Sequence, residues 1–537
     1  MSSGVQRSTP VVDAVVIGAG PNGLVAAIAL ADAGWDVVVV EAEREVGGAV
    51  RSTELFPGYV TDLFSAFYPL AAGSPVIRQL ELDKHGLVWC QPKSPVAHVV
   101  SPGSSAYLWR DLDATAEGLE TSAAGDGDVW RQLYTAYRRV RTPLLDALFT
   151  PFPPVRAGLA FARRSSLGLA TDLARIAVTP AYRLGIEWFQ GDAGRALLSG
   201  NAMHSDLGAS RAGGGFMGWL LSMLAQDVGF PVPRGGSGRL ASALRSRAEA
   251  AGARILCGAA ASRIGVVTGR ATSVQLLDGT AFTARRAVLA DVSAPALYET
   301  LLGPRVTPPR ILGDLRNFAW DHSTIKLNWA LDRPIPWLDP RLADTGTVHL
   351  SGSSAAVMRG GLRLEGGELP GQPFVVLGQM ARVDPTRAPS GCESAWAYTH
   401  VPQAFARDEH AVDLVAQRVR DTVEAAAPGF ARTVVAEHVQ RPADLEAADR
   451  NLVGGAINGG TSALHQQLIF RPTLGLGRPE TPIPGLYLAS ASAHPGGGVH
   501  GACGWNAARA ALSAHGSFGA IQRLLTETVW ERLLHGS

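Results

Sequence analysis

The sequence predicts an α/β protein with a dinucleotide-binding domain and a second domain of α+β type. Three observations predict this. Residues Val11 to Glu41 read as strand, glycine turn, helix, strand and terminal acid. Ser323 to Ala330 alternates apolar and polar residues, the pattern of an antiparallel strand with two unlike faces. The chain has 537 residues, too many for one compact core, so it needs at least two structural domains.

The first element is Val11–Ile17, an apolar run broken only by Asp13, as in a strand covered on both faces. Gly18-Ala19-Gly20-Pro21-Asn22-Gly23 fits G-x-G-x-x-G and opens a helix. Gly18 allows the tight turn. Gly20 lets a pyrophosphate approach the backbone and the helix N-terminus. Gly23 lets helix and strand pack closely. Leu24, Ile28 and Leu30 give the helix an apolar side, Gly34 marks its end, and Val37–Val40 is a second buried strand. Glu41 then stands where a carboxylate can accept from both ribose hydroxyls. Glycine turns are common, but the flanking strand, helix and acid together make this one a Rossmann-like dinucleotide site.

Composition narrows the remaining classes. An apolar fraction of 46% and a charged fraction of 18% indicate a folded chain. A net charge of +1 gives no reason to expect nucleic acid as a partner. Cys90, Cys257, Cys392 and Cys503 are far apart and form no C-x-x-C pair. They predict a reducing, cytoplasmic setting, with neither a disulfide framework nor a metal site. Residues 1–10 read as a loose tail without the apolar core of a signal peptide. No apolar run reaches the about 18 residues of a spanning helix, which leaves a peripheral membrane contact open.

After Glu41 the chain continues as Ala42-Glu43-Arg44-Glu45-Val46-Gly47-Gly48-Ala49-Val50-Arg51. The paired glycines permit close backbone approach, and Arg51 offers a positive fork for a phosphate. Their position after an acid-tipped strand favours a flavin over a nicotinamide. VVIGAGPNGLVAA, the E-x-x-x-x-V-G-G segment and the late PGLYLASASAHPGGGVHGACGWNAA resemble the phytoene desaturase-like FAD-dependent oxidoreductases, part of the larger group that includes amine oxidases. The resemblance covers residues 11–75, 228–298 and 480–512. It departs at Ala49, where many relatives carry arginine, and at Ser490-Ala491-Ser492, where many carry an acid.

The resemblance implies FAD as cofactor and a discontinuous FAD-binding domain of residues 11–75, 228–298 and 480–515. Residues 76–227 and 299–479 then form a substrate domain with a mixed or antiparallel sheet and a helical lid, and 516–537 a C-terminal helix. A P-x-G-G turn at Pro233-Arg234-Gly235-Gly236 feeds a helix back to the nucleotide sheet, and Ala261 with Ile264 flanks the adenine. Ala287–Asp291 re-enters that sheet, and Gly497, Gly498 and Val499 lie beside the flavin pyrimidine. There a glycine run before a helix can stabilise the reduced flavin anion. The implied cofactor-binding residues are Gly18, Gly20, Pro21, Asn22, Gly23, Glu41, Ala42, Gly47, Gly48, Arg51, Ala261, Gly497, Gly498 and Val499.

Three residues are catalytic candidates. In some related oxidases a lysine near the second sheet reaches the flavin through water, which singles out Lys326; the other reading is a surface lysine. His494 and His500 could meet the flavin edge or could be structural residues of a tight turn. Cys503 reads as a small buried thiol rather than a flavin attachment point.

The remaining segments are less legible. Residues 53–110 read as a loop, a helix and short strands of an inserted sheet, and 111–141 as helical with Trp130, Leu133, Tyr134 and Tyr137 in the core. Residues 143–230 read as short helices over a greasy channel, with Arg156, Arg163 and Arg164 resting on anionic lipid, or as an arginine-edged buried layer. Gly454–Gly460 lacks the strand and acid of a second dinucleotide site and reads as a loop near flavin or substrate.

The predicted activity is transfer of a hydride from a hydrophobic small molecule to flavin N5, by resemblance a desaturation of an isoprenoid or carotenoid-like substrate. An amine oxidase, an isomerase or a saturase could use the same skeleton. A flavin-bound scaffold recruiting a protein partner is the non-enzymatic alternative. The sequence offers no convincing general base and leaves the oligomeric state open.

Overall fold

The computed structural model describes residues 9–516. Residues 1–8 and, but for Gly516, the C-terminal helix expected at 516–537 lie outside the described residues.

Two seven-stranded sheets organise the described residues. In the first, Val11–Ile17 lies between Val37–Val40 and Ala281–Ala290, parallel to both. Arg254–Leu256 extends it in parallel beyond Val37–Val40, and Leu486–Leu488 pairs in parallel with Ala281–Ala290. Ala261–Val267 and Arg270–Leu276 add an antiparallel hairpin pair at the other edge. The central strands are apolar because both faces are covered; all four valines of Val37–Val40 are buried. Helices Pro21–Asp32 and Ala502–Ala514 pack against each other so closely that a Cβ on Gly504 would lie 1.8 Å from the Asn22 carbonyl oxygen.

The second sheet runs in the order Val434–Gln440, Ser323–Leu331, Glu393–Val401, Val375–Gln379, Thr345–Leu350, Ser94–Ser101, Ser104–Leu108. Only Thr345–Leu350 with Ser94–Ser101 is parallel, so the sheet is mixed. Of the short inserted strands expected within residues 53–110, Ser94–Ser101 and Ser104–Leu108 extend this sheet. Its two faces follow the alternation of the sequence. Ile325, Leu327 and Trp329 join Leu377, Ala397 and Leu350 against Val412, Val415 and Val419 of helix Glu409–Ala426. The opposite face carries Thr324, Lys326, Thr347, Val376, Trp396 and Tyr398 and looks into a cavity.

Helices from Leu112–Ser122 to Gly214–Asp227 form a layer beside that cavity. Trp130 and Tyr137 are buried in its core, with Leu133 and Tyr134 packed against it. Its outer helices are not a buried layer. Val155 and Leu159 of Val155–Arg164 are 64% and 56% exposed, and Leu167 and Val178 of Leu167–Val178 are 83% and 59% exposed. Among the described residues no helix is long and apolar enough to cross a membrane.

Candidate active site

The glycine turn is built by backbone against backbone. Gly18 has φ +95°, and a Cβ there would lie 2.8 Å from the Asp291 carbonyl oxygen on the neighbouring strand end. A Cβ on Gly23 would lie 2.1 Å from the Gly18 carbonyl oxygen, so this helix meets this strand only through glycine. Gly47 N donates to the Ala19 carbonyl at 2.8 Å, and a Cβ on Gly48 would lie 3.2 Å from Gly20 Cα. The paired glycines therefore stack on the turn.

A cavity of about 390 Å³ opens over this turn. Gly18, Gly20, Pro21, Asn22, Glu41, Ala42, Gly48 and Ala261 line it; Gly23 and Gly47 stand behind the wall. Glu41 accepts from Ala19 N at 2.6 Å and Glu43 N at 2.9 Å. Burial raises its pKa, against the lowering effect of those two donors. Asn22 Oδ1 is buried and has no partner among the described residues.

Two acids on this wall were not singled out from the sequence. Asp291 Oδ2 accepts from Gly23 N at 2.8 Å and lies 2.9 Å from where a Gly20 Cβ would be. Burial pushes its pKa up to about 8. Asp449 is raised mainly by burial as well. The signal for Asp291 was present, an acid directly after the buried strand ending at Ala290.

Arg51, expected to offer a fork to phosphate, lines neither cavity; its Nε donates to the Gly48 carbonyl at 2.9 Å and its Nη2 to the Ala448 carbonyl, so it braces two loops.

A second cavity of about 330 Å³ shares Pro21, Asn22, Ala49, Leu452, Ile457 and Ala491 with the first. Its wall is mostly apolar: Leu63, Phe64, Phe67, Leu70, Met217, Leu221, Phe230, Val376 and Trp396. Gly497, Gly498 and Val499 line it, and a Cβ on Gly498 would lie 2.6 Å from Leu70 Cδ1. Asn458, from the Gly454–Gly460 loop, lines this cavity and Gly459 lines the first.

Lys326 is on this wall and is buried, which removes the surface reading. Its Nζ donates to the Asp62 carbonyl and, at 3.4 Å, to that of Phe64, and it stands 5.5 Å from the Trp396 ring centre. Burial lowers its pKa to about 7, opposed by the charge of Asp62. Asp62 is fixed from below. Arg387 bridges Asp62 and Asp384 at 3.1 Å each, with all three side chains buried. Ser237 N donates to Asp62 and Gly235 N to Asp384, which ties the P-x-G-G turn to the lysine.

His494 and His500 are open to two readings from the sequence, flavin edge or structural residue; neither ring lines either cavity. His500 Nδ1 accepts from Ala502 N at 3.0 Å, and its Nε2 faces the Gly496 carbonyl at 3.3 Å. His494 Nε2 meets the Thr150 carbonyl at 3.1 Å. Burial lowers both to about 4, so they are neutral braces of the turn. Cys503 is buried beneath the same turn.

A dinucleotide turn joined to a mostly apolar second cavity is the arrangement of a cofactor-dependent oxidoreductase. Comparison with known proteins agrees. Residues 22–512 match the model of the flavin containing amine oxidoreductases, and the chain belongs to that family; its cofactor is FAD. It is 28% identical to "Pyridine nucleotide-disulfide oxidoreductase domain-containing protein 2" of Rattus norvegicus, over 93% of both chains. It is 24% identical to a limonene dehydrogenase polypeptide of Castellaniella defragrans, over 93% of this chain and 94% of the relative. Its fold matches an oxidoreductase from Methanosarcina mazei with a TM-score of 0.62 at 15% identity, covering 93% of this chain and 99% of the other. The protein is therefore an FAD-dependent oxidoreductase.

Proposed function

We propose that the protein desaturates an apolar, isoprenoid-like molecule, removing a hydride and a neighbouring proton to leave a C=C bond. The carrying observation is the mostly apolar wall of the second cavity and its continuity with the nucleotide cavity through six shared residues. A relative that bears the name limonene dehydrogenase supports the same substrate class.

In this reading the Gly18–Gly23 turn and Asn22 take the pyrophosphate, and Glu41 uses its remaining lone pairs for ribose hydroxyls. Ala42 and Ala261 flank the adenine; Gly48 and Gly497–Val499 leave room for the ring system. FAD supplies the two-electron hydride acceptor. The apolar wall excludes water, and Lys326 holds or releases a proton at Nζ near neutral pH. Anaerobic mixing with limonene, phytoene, hydroxylated isoprenoids and a set of primary amines tests the reading. The isoprenoids should bleach the flavin and lose two hydrogens; bleaching by the amines alone would overturn it.

The exposed apolar side chains of Val155–Arg164 and Leu167–Val178, set among Arg156 and Arg163, favour a peripheral contact with anionic lipid. Flotation with phosphatidylserine vesicles should fall at least about fivefold in V155S/L159S/L167S; unchanged flotation would remove this contact.

A further inference from the structure

Three imidazoles stand at one end of the second cavity. His98 and His349 are register partners on the parallel strands Ser94–Ser101 and Thr345–Leu350. His204, just beyond helix Asp192–Ala202, lines the cavity. His204 Nε2 and His349 Nε2 are 2.6 Å apart. The Nδ1 atoms of His349 and His98 converge on Gly200, 2.5 and 2.7 Å from where its Cβ would lie, and neither has a partner among the described residues.

The Gly352 carbonyl, 2.8 Å from His98 Nε2, can only accept, so His98 Nε2 carries the proton and its Nδ1 is a lone pair. In the short contact between His204 and His349 one Nε2 donates and the other accepts, so His204 Nδ1 presents a lone pair in one tautomer and an N–H in the other. Burial keeps all three rings neutral, lowering His98 and His204 to about 4 and His349 further below the ordinary histidine range.

His204 Nδ1 has no partner among the described residues, and its side chain opens on the cavity. Thr347, two residues before His349 on the same face of the strand, also lines the cavity, and its Oγ1 is buried without a partner. Both lie well away from Lys326. The register row runs Lys326, Tyr398, Val376, His349, three strand spacings or ~14 Å.

The geometry points to a second recognition point in this cavity: a hydroxyl on the substrate, remote from the bond oxidised, that hydrogen-bonds with His204 Nδ1 beside the Thr347 hydroxyl. This rests on the cavity being the site of the apolar substrate, and it narrows that substrate to a hydroxylated isoprenoid-like molecule. A plain hydrocarbon would strip water from both polar atoms and pair neither. A charged ammonium donor would bear the larger desolvation penalty in so apolar a space.

Phenol and toluene, equal in shape and different in the donor, test this when titrated into the FAD-loaded enzyme carrying nitrogen-15 histidine. Phenol should bind about tenfold tighter, shift the His204 Nδ1 resonance, and lose its advantage in H204F. Equal behaviour of the two probes, including no binding by either, overturns the assignment, as does a preference that survives in H204F. The wild-type resonance reads the same contact even if H204F fails to fold. A phenol preference without bleaching by any isoprenoid faults only the proposed reaction; bleaching without a phenol preference faults only the histidine assignment.

Discussion

The two sheets use opposite chemistry to build one site. The first presents backbone: its wall at the glycine turn is made of positions where a single Cβ would collide with a carbonyl, at Gly18 and Gly23. The second presents side chains: Thr324, Lys326, Thr347, Trp396 and Tyr398 project from alternate positions of its strands. Backbone geometry suits a fixed cofactor and tolerates almost no substitution. A side-chain wall suits a substrate, because each residue can change while the sheet stays the same.

Substitutions should therefore fail in different ways on the two sides. The largest effect is expected for Gly23→Ala, whose Cβ has nowhere to go against the Gly18 carbonyl. We expect a loss of more than about 3 kcal/mol in stability and no retained flavin, read by thermal unfolding and the visible spectrum. A yellow, stable G23A protein would break the contrast between the two sheets.

Lys326→Met comes next. A buried amine with a pKa of about 7 changes charge in the working range, so the bound flavin's spectrum should titrate near that value in the native protein. K326M should retain FAD, lose that titration and turn over at least about tenfold more slowly. Loss of FAD instead would place the lysine on the cofactor side of the comparison.

Asp291→Asn gives a pH-dependent effect. The folded pKa of about 8 lies above the ordinary carboxylate value, so between those values the folded chain holds a proton the unfolded chain has released. Its contribution to stability is full below pH about 4 and is lost as pH rises through about 8. The asparagine keeps an acceptor for Gly23 N and has no proton to lose. The melting temperature of the apoprotein should therefore fall less between pH 5 and 8 in D291N, read by scanning calorimetry; parallel curves would contradict the burial of that acid. The smallest effect is expected for His494→Asn, with turnover changed less than about twofold, because the ring touches neither cavity.

The same contrast explains what the sequence could show. Val11 to Glu41 was legible because strand, turn, helix and acid are contiguous, and each glycine answers a local steric demand. The alternation of Ser323–Ala330 announced a two-faced strand, yet nothing local said which face would meet the cofactor. Lys326 could stand as a surface residue until Glu393–Val401 and the Asp62 loop closed over it. His98 and His349 acquire meaning only when a parallel pairing sets them side by side, and His204 only when a helix end delivers it to them. The role of Arg51 was not legible because a guanidinium fork fits a carbonyl pair as well as a phosphate. His494 and His500 could be read from the sequence either way because a glycine-rich turn needs braces, and buried neutral imidazoles supply them.

The most direct test of a single site shared by the two sheets is a crystal structure of the enzyme with FAD bound. The account predicts the pyrophosphate over Gly18–Gly23 and the isoalloxazine at the wall common to both cavities, beside Ala49, Ile457 and Ala491, with its edge toward Lys326. An isoalloxazine lodged outside that shared wall, leaving the second cavity cut off from the flavin, would contradict it.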